Sequence, residues 1–373
     1  MSAFSDSSFT ADDYHRSRPQ YPLSLFEYIY RYHQSQQQIK ASQQTQQQQQ
    51  QTLGVATDTG YSSSAFGGPA EIFSSIRQTT RALDIACGPG EATVPMSRYF
   101  DEVVGLDPSE VMIQAAKRAY TVEYPKVTFV TGSAEEFVND NTDSSDISLE
   151  FNLPDTQRHR AEFKVVPNSV DLISAAEGAH WFDLNQFYHN ASLALKPGGT
   201  LAIWGYGNHI YTEPGNPYQL EKAAEIQNYY LYDNDQLGPY WQQPGREILL
   251  DRMVGYEPQS LLQNPDNLLT RFSHVERHDN VVTARYAKTR RPKSMISVPS
   301  DAFIMRRVLH LLDIMYYLKT SSAYHKWKVA NPNAPYDVID KMMTEVKEVT
   351  GWNNSTVVTI EYDTFLILAT KEF

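Results

Sequence analysis

The sequence of 373 residues contains a single cysteine, Cys87. One thiol excludes an internal disulfide and a cysteine-rich zinc site, and no metal site is expected. Basic charge is scarce too: 32 Lys and Arg stand against 44 Asp and Glu, for a net charge of -12. A polyanion finds no attractive field on such a chain, so neither nucleic acid nor an anionic membrane surface is an expected partner. Long apolar runs are also missing. The longest, Ala302 to Leu318, is broken by Arg306, Arg307 and Asp313 and reads as an amphipathic core helix rather than a membrane span. The opening "MSAFSDSSFT" lacks the apolar stretch of a secretory signal. These absences set the expectation of a cytoplasmic protein, monomeric or weakly oligomeric, that acts on a small molecule.

What is present is rhythm. Between Arg81 and Tyr206 short apolar runs alternate with helical patterns: "RALDIAC" (strand), "ATVPMSRYF" (helix), "EVVGLD" (strand), "SEVMIQAAKRAY" (helix, with Ser109 as N-cap), "VTFVTG" (strand), "VDLISAA" (strand), "NQFYHNASLAL" (helix) and "TLAIWGY" (strand). Such repetition specifies a parallel sheet with helices on both faces, an α/β fold. Residues 1–33 read as an N-terminal lid segment and helix, and 34–70, rich in Gln and Ser, as a disordered insertion. Residues 71–207 form the core, with a polar insertion at 139–168. Residues 208–373 supply a helical cap and the final strands, expected at the sheet edge.

The stretch "LDIACGPGEAT", Leu83 to Thr93, places an acid at a strand end and then glycines that let the backbone turn closely around a ligand. A dinucleotide fingerprint wants a third glycine where Thr93 stands. Asp84 ahead of the turn would repel a pyrophosphate and hold an ammonium. About twenty residues on, Asp107 ends the second strand, where an acid accepts hydrogen bonds from a ribose diol. Taken in order, "LDIACGPG", "GLDPS", "GSAEEF" and "LKPGGTLAIWG" resemble the motif series of class I S-adenosylmethionine-dependent methyltransferases. That resemblance implies a Rossmann-like, seven-stranded, mostly parallel sheet whose last strand is antiparallel, and S-adenosyl-L-methionine as cofactor. It also implies roles: Asp84 near the methionine amino group, Gly88 and Gly90 forming the turn, Asp107 on the ribose and Met112 beside the adenine. Ser133, with Ala134 and Glu135, stands where many relatives offer an Asp to the adenine amine. Ala86 replaces the first glycine of the usual turn.

A narrower resemblance is carried by "DDYHRSRPQYP", "EGAHWFD", "LGPYWQQPGR" and "SSAYHKWK". These are similar to the fungal trans-aconitate methyltransferases and the related cantharidin-resistance methyltransferase, and imply methyl ester formation on a small carboxylic acid. A carboxylate is already ionised at neutral pH and needs no base. It needs an aromatic enclosure and groups that hold its nonreacting anionic end. Candidate walls are Tyr14, which would also reach the cofactor, Trp181, Trp204, Tyr206, Tyr240, Trp241, Tyr324 and Trp327; candidate anion holders are Arg18, Arg246, His325 and the cluster Lys288, Arg290, Arg291. His180 and Trp181 are read as shaping the space around the transferred methyl. Two alternatives stay open: a neutral N, O or C nucleophile with His180 as base, and a noncatalytic cofactor-binding regulator.

Overall fold

Short apolar runs bounded by turn residues build the centre of the computed structural model, which describes residues 19–55, 79–139, 163–258, 272–285 and 302–372. Strands β1 (Arg81–Ile85), β2 (Glu102–Asp107), β3 (Val127–Thr131), β4 (Val170–Ala176) and β5 (Leu195–Glu213) pair in parallel in the order β3-β2-β1-β4-β5. Both faces of β1 and β4 are buried, as a strand covered by helices on each side must be. Strand order reverses between β1 and β4, which opens a crevice at their carboxyl ends.

The sheet has eight strands among the described residues rather than the seven expected. The last in sequence, β8 (Val357–Lys371), runs antiparallel to β5 as expected, but it is not an edge. On its other side it pairs antiparallel with β6 (Phe272–Asn280) along one half and with β7 (Arg306–His310) along the other. Composition explains the burial. Ile360, Tyr362, Leu366 and Leu368 enter one core while Phe365, Ile367 and Ala369 enter the other, so neither face tolerates water.

Strand β7 also corrects the expectation of one helix over Ala302 to Leu318. Arg306 to His310 alternate exposed and half-buried along a β8 partner, a period of two. The helix starts only at Leu311, where the Asp313 carboxylate accepts the His310 N–H at 3.2 Å.

Nine helices are described: α1 (Leu23–Val55), α2 (Thr93–Met96), α3 (Glu110–Tyr120), α4 (Leu184–Ala194), α5 (Pro217–Tyr232), α6 (Gly245–Leu250), α7 (Leu311–Lys319), α8 (Ser322–Ala330) and α9 (Val338–Thr350). Ser109 caps α3 as the sequence predicts, accepting the Met112 N–H. The "ATVPMSRYF" helix shrinks to the single turn α2. Residues of α5, α6, α7 and α8 line a common cavity, α9 packs on α5 and α7, and none of the described helices is long and apolar enough to cross a membrane.

Helix α1 overturns part of the expected disordered insertion, because it continues from residue 34 to Val55. Three polar side chains between residues 33 and 40 dock it on the start of β5. Gln37 Nε2 donates to the Gly198 carbonyl and Lys40 Nζ to the Pro197 carbonyl, both at 2.7 Å, while His33 Nδ1 meets Thr200 Oγ1 at 3.0 Å. Residues 56–70 of that expectation, with 71–78 of the core, and 140–162 of the polar insertion, lie outside the described residues.

Candidate active site

The turn from β1 into α2 and the ends of β2, β3 and β4 surround a cavity of about 450 Å³, within the range of small-ligand and cofactor sites. Gly88, Asp107, Met112, Ser133, Ala134 and Glu135 line it, all of them expected cofactor residues. Gly88 has φ +54, and a Cβ there would meet nothing within 4 Å, so its backbone faces open space. Asp107 is 8 % exposed; its Oδ2 accepts the Gly88 N–H at 2.9 Å and its Oδ1 the Ser109 N–H at 2.8 Å. Burial raises its pKa while those two N–H groups lower it. Each oxygen keeps a lone pair for a further donor, such as a diol hydroxyl. An elongated, partly polar cofactor with a ribose therefore fits this donor and acceptor set.

Two expected cofactor residues are not in the cavity. Asp84 is fully buried, with Oδ2 taken by Thr93 Oγ1 and Oδ1 by Ser174 Oγ, each at 2.7 Å, and it is not among the lining residues. Burial pushes its pKa up to about 7, against the two hydroxyl donors. Here the acid knits β1, α2 and β4 together instead of meeting an ammonium. Gly90 has φ +101 and is packed so that a Cβ would lie 2.9 Å from the Phe129 ring; its place is in the turn, away from the cavity. Tyr14 falls outside the described residues, and Pro19 and Tyr21 supply the N-terminal wall.

A second cavity, about 120 Å³, adjoins the first and shares Glu177, Trp181, Tyr206, Gln242 and Ser322 with it. Its wall includes His180, Trp241 and Arg246, three residues the sequence singled out. The Arg246 guanidinium lies 4.1 Å from the Trp241 ring centroid and 5.3 Å from that of Tyr232. Its Nη2 donates to Asn208 Oδ1 at 3.3 Å and to the Tyr232 hydroxyl, while its Nε is buried and has no hydrogen-bond partner among the described residues. A planar cation with an unused donor suits a carboxylate. His180 is held neutral: burial, with the Arg246 charge second, lowers its pKa to about 3.

Four expected wall residues do not reach either cavity. Trp204 is buried beneath them, edge-on to Tyr21 at 5.8 Å and to Phe26 at 5.9 Å. Tyr240 accepts from Asn331 Nδ2 at 2.9 Å, and Tyr324 donates to Asp337 Oδ2 at 2.6 Å while stacking on Trp327. These hold the cap to itself. His325 lies on α8 away from both cavities, and Arg18, Lys288, Arg290 and Arg291 lie outside the described residues.

Glu177, Asn208, His209, Gln227 and Tyr232 line the smaller cavity without having been singled out. Glu177 is the first residue of the quoted "EGAHWFD" and was legible as a strand-end acid. Asn208 and His209 were hidden because β5 runs on beyond Gly207. Gln227 and Tyr232 sit on α5, where nothing local marks which face meets the crevice.

Residues 82–161 match a family model described as a methyltransferase domain. Across 99% of its length this chain is 25% identical to a Saccharomyces cerevisiae protein described as the probable S-adenosylmethionine-dependent methyltransferase CRG1, covering 98% of that protein. It is 26% identical to a putative methyltransferase of Dictyostelium discoideum over 78% of this chain and 82% of that one. Among solved structures, a putative type II methyltransferase from Anaeromyxobacter dehalogenans shares the fold, with a TM-score of 0.53 at 17% identity over 95% of this chain and 98% of that chain.

Proposed function

We propose that this chain, a class I S-adenosylmethionine-dependent methyltransferase, takes as its acceptor a small carboxylic acid, trans-aconitate-like in charge, and converts it to its methyl ester. The observation that carries this reading is Arg246, its guanidinium over the Trp241 ring and beside Tyr232 with a donor left over, in the cavity that adjoins the cofactor cavity. A guanidinium so placed holds one carboxylate of the acceptor and leaves another free to react.

S-adenosylmethionine supplies an electrophilic methyl group on a sulfonium. The chain has only to align the acceptor and exclude water, because a carboxylate is ionised at neutral pH. Asp107, Gly88 and Met112 would hold the cofactor, and Trp181 and Tyr206 would close the junction with π faces that tolerate positive charge. His180, with its pKa near 3, is too weak a base to deprotonate an amine or phenol and serves as a wall.

The test is a panel of small carboxylic acids, amines and phenols incubated with S-adenosylmethionine, with S-adenosylhomocysteine release as readout and the product analysed for a methyl ester. Arg246→Gln is expected to lower kcat/KM for the acid roughly a hundredfold with unchanged cofactor affinity. Turnover of amines or phenols but not acids would sink the ester reading.

A further inference from the structure

Buried polar atoms are almost always hydrogen-bonded, so atoms left over on a cavity wall point to what the cavity receives. Besides Arg246, two such side chains line the smaller cavity among the described residues, His209 and Gln227, each 4 % exposed. His209 Nε2 and Gln227 Oε1 are both buried with no hydrogen-bond partner among the described residues. Their positions are fixed by the fold. His209 lies where β5 runs on past Gly207, after a register shift against β8, and its ring packs among those of Tyr211, Tyr317 and Tyr362, with centroids 6.0, 6.0 and 5.3 Å away. Gln227, on α5, donates from Nε2 to the His209 carbonyl at 3.1 Å, which orients the amide and leaves Oε1 to accept. Burial, and after it the Arg307 charge, lowers the His209 pKa to about 3 against the effect of the Gln227 side chain, so the imidazole is neutral. Unlike Arg246, this pair therefore calls for an uncharged group. An ionised carboxylate only accepts and would set its charge against Oε1, whereas a hydroxyl offers one O–H to Oε1 and lone pairs to the Nε2–H tautomer of the imidazole.

We propose that the acceptor is a hydroxy acid, whose hydroxyl is received by Gln227 Oε1 and His209 Nε2 while one of its carboxylates lies on Arg246. His209 and Gln227 are then specificity residues. An acid without the hydroxyl leaves both atoms buried and unpaired, and is discriminated against for that reason. The hydroxyl is bound and not methylated, since neither residue lines the cofactor cavity. This inference deepens the ester reading and rests on its assignment of a carboxylate to Arg246.

Calorimetric titration of paired acids into protein saturated with S-adenosylhomocysteine tests it: malate against succinate, and citrate against propane-1,2,3-tricarboxylate, each pair differing by one hydroxyl. Wild type is expected to bind at least one hydroxy acid roughly tenfold or more tighter than its partner. His209→Phe keeps a ring among the three tyrosines and should lose that preference, with affinity for the acid lacking the hydroxyl changed by less than about threefold. His209→Gln, which brings an amide N–H toward the place of Nε2, should restore part of it. Should His209→Phe not fold, Gln227→Met, close in shape to glutamine, is read in the same way. Paired acids bound equally by wild type, or a preference that survives the loss of the imidazole, would overturn the proposal and leave the ester reading standing. A hydroxy-acid preference without ester formation would sink the ester reading alone, and a protein that binds no acid of either kind would sink both.

Discussion

Asp84 and His180 are buried groups whose protonation runs in opposite senses. Asp84 has its pKa raised from 3.8 to about 7, so between those values the folded state holds a proton that the unfolded chain has released. Its contribution to stability is complete below about pH 4 and is lost as pH rises through 7, an effect on the order of 4 kcal/mol. Denaturant melts of wild type and Asp84→Asn should therefore differ in slope: the advantage of wild type over the variant shrinks steadily from pH 4 to pH 7.5. His180 is depressed to about 3, so its contribution is present above the ordinary value of 6.5 and is lost as pH falls toward 3. Replacing it with asparagine should leave the pH profile of kcat between 6 and 9 unchanged, since a neutral imidazole has no proton to give or take there. A new ionisation in that profile, or the loss of one, would revive the base reading. That the acid of the glycine motif is a buried strut was not legible in the sequence, because Ser174, which takes one of its oxygens, is ninety positions away in the chain.

At the scale of the element, the turn from β1 into α2 shows what spacing can and cannot say. Three of its residues have positive φ: Ala86 at +56, Gly88 at +54 and Gly90 at +101. Two are glycines, as the motif demands, and the third is an alanine in a left-handed conformation that glycine adopts more readily. Ala86→Gly should accordingly raise stability by about 1 kcal/mol, with cofactor affinity preserved, as read by thermal melting and titration. Gly90→Ala should do the reverse, losing roughly 1–3 kcal/mol through strain and through contact with Phe129. Strand β7 is the opposite case. Its five residues look helical when joined to the run that follows, and only a β8 partner about fifty residues later makes them a strand.

Over the whole molecule, burial is completed by contacts between distant segments. Arg252, 0 % exposed, donates from Nε to Asp279 Oδ1 at 3.1 Å, and Arg277 bridges Asp279 and Glu257, so the segment after α6 is tied to β6 by a buried charge network. Arg252→Met should cost about 3 kcal/mol, because it deprives a buried carboxylate of one of its two cations, and the loss should appear as a lower midpoint in urea with an unchanged m value. The sequence by itself determined the α/β class, the order of the first five strands, the glycine turn, Asp107 and the cavity positions of His180, Trp181 and Arg246. The class and strands follow from local periodicity and the turn from a conformational demand on a few neighbouring residues, while the cavity positions of His180, Trp181 and Arg246 follow from resemblance to known methyltransferase motifs. Only the tertiary structure decided that β8 is an interior strand, that Trp204, Tyr240, Tyr324 and Trp327 pack away from the cavities, and that Glu177 stands between the two. Those depend on which faces meet across long separations in the chain, and no local pattern specifies the partner that covers a given face.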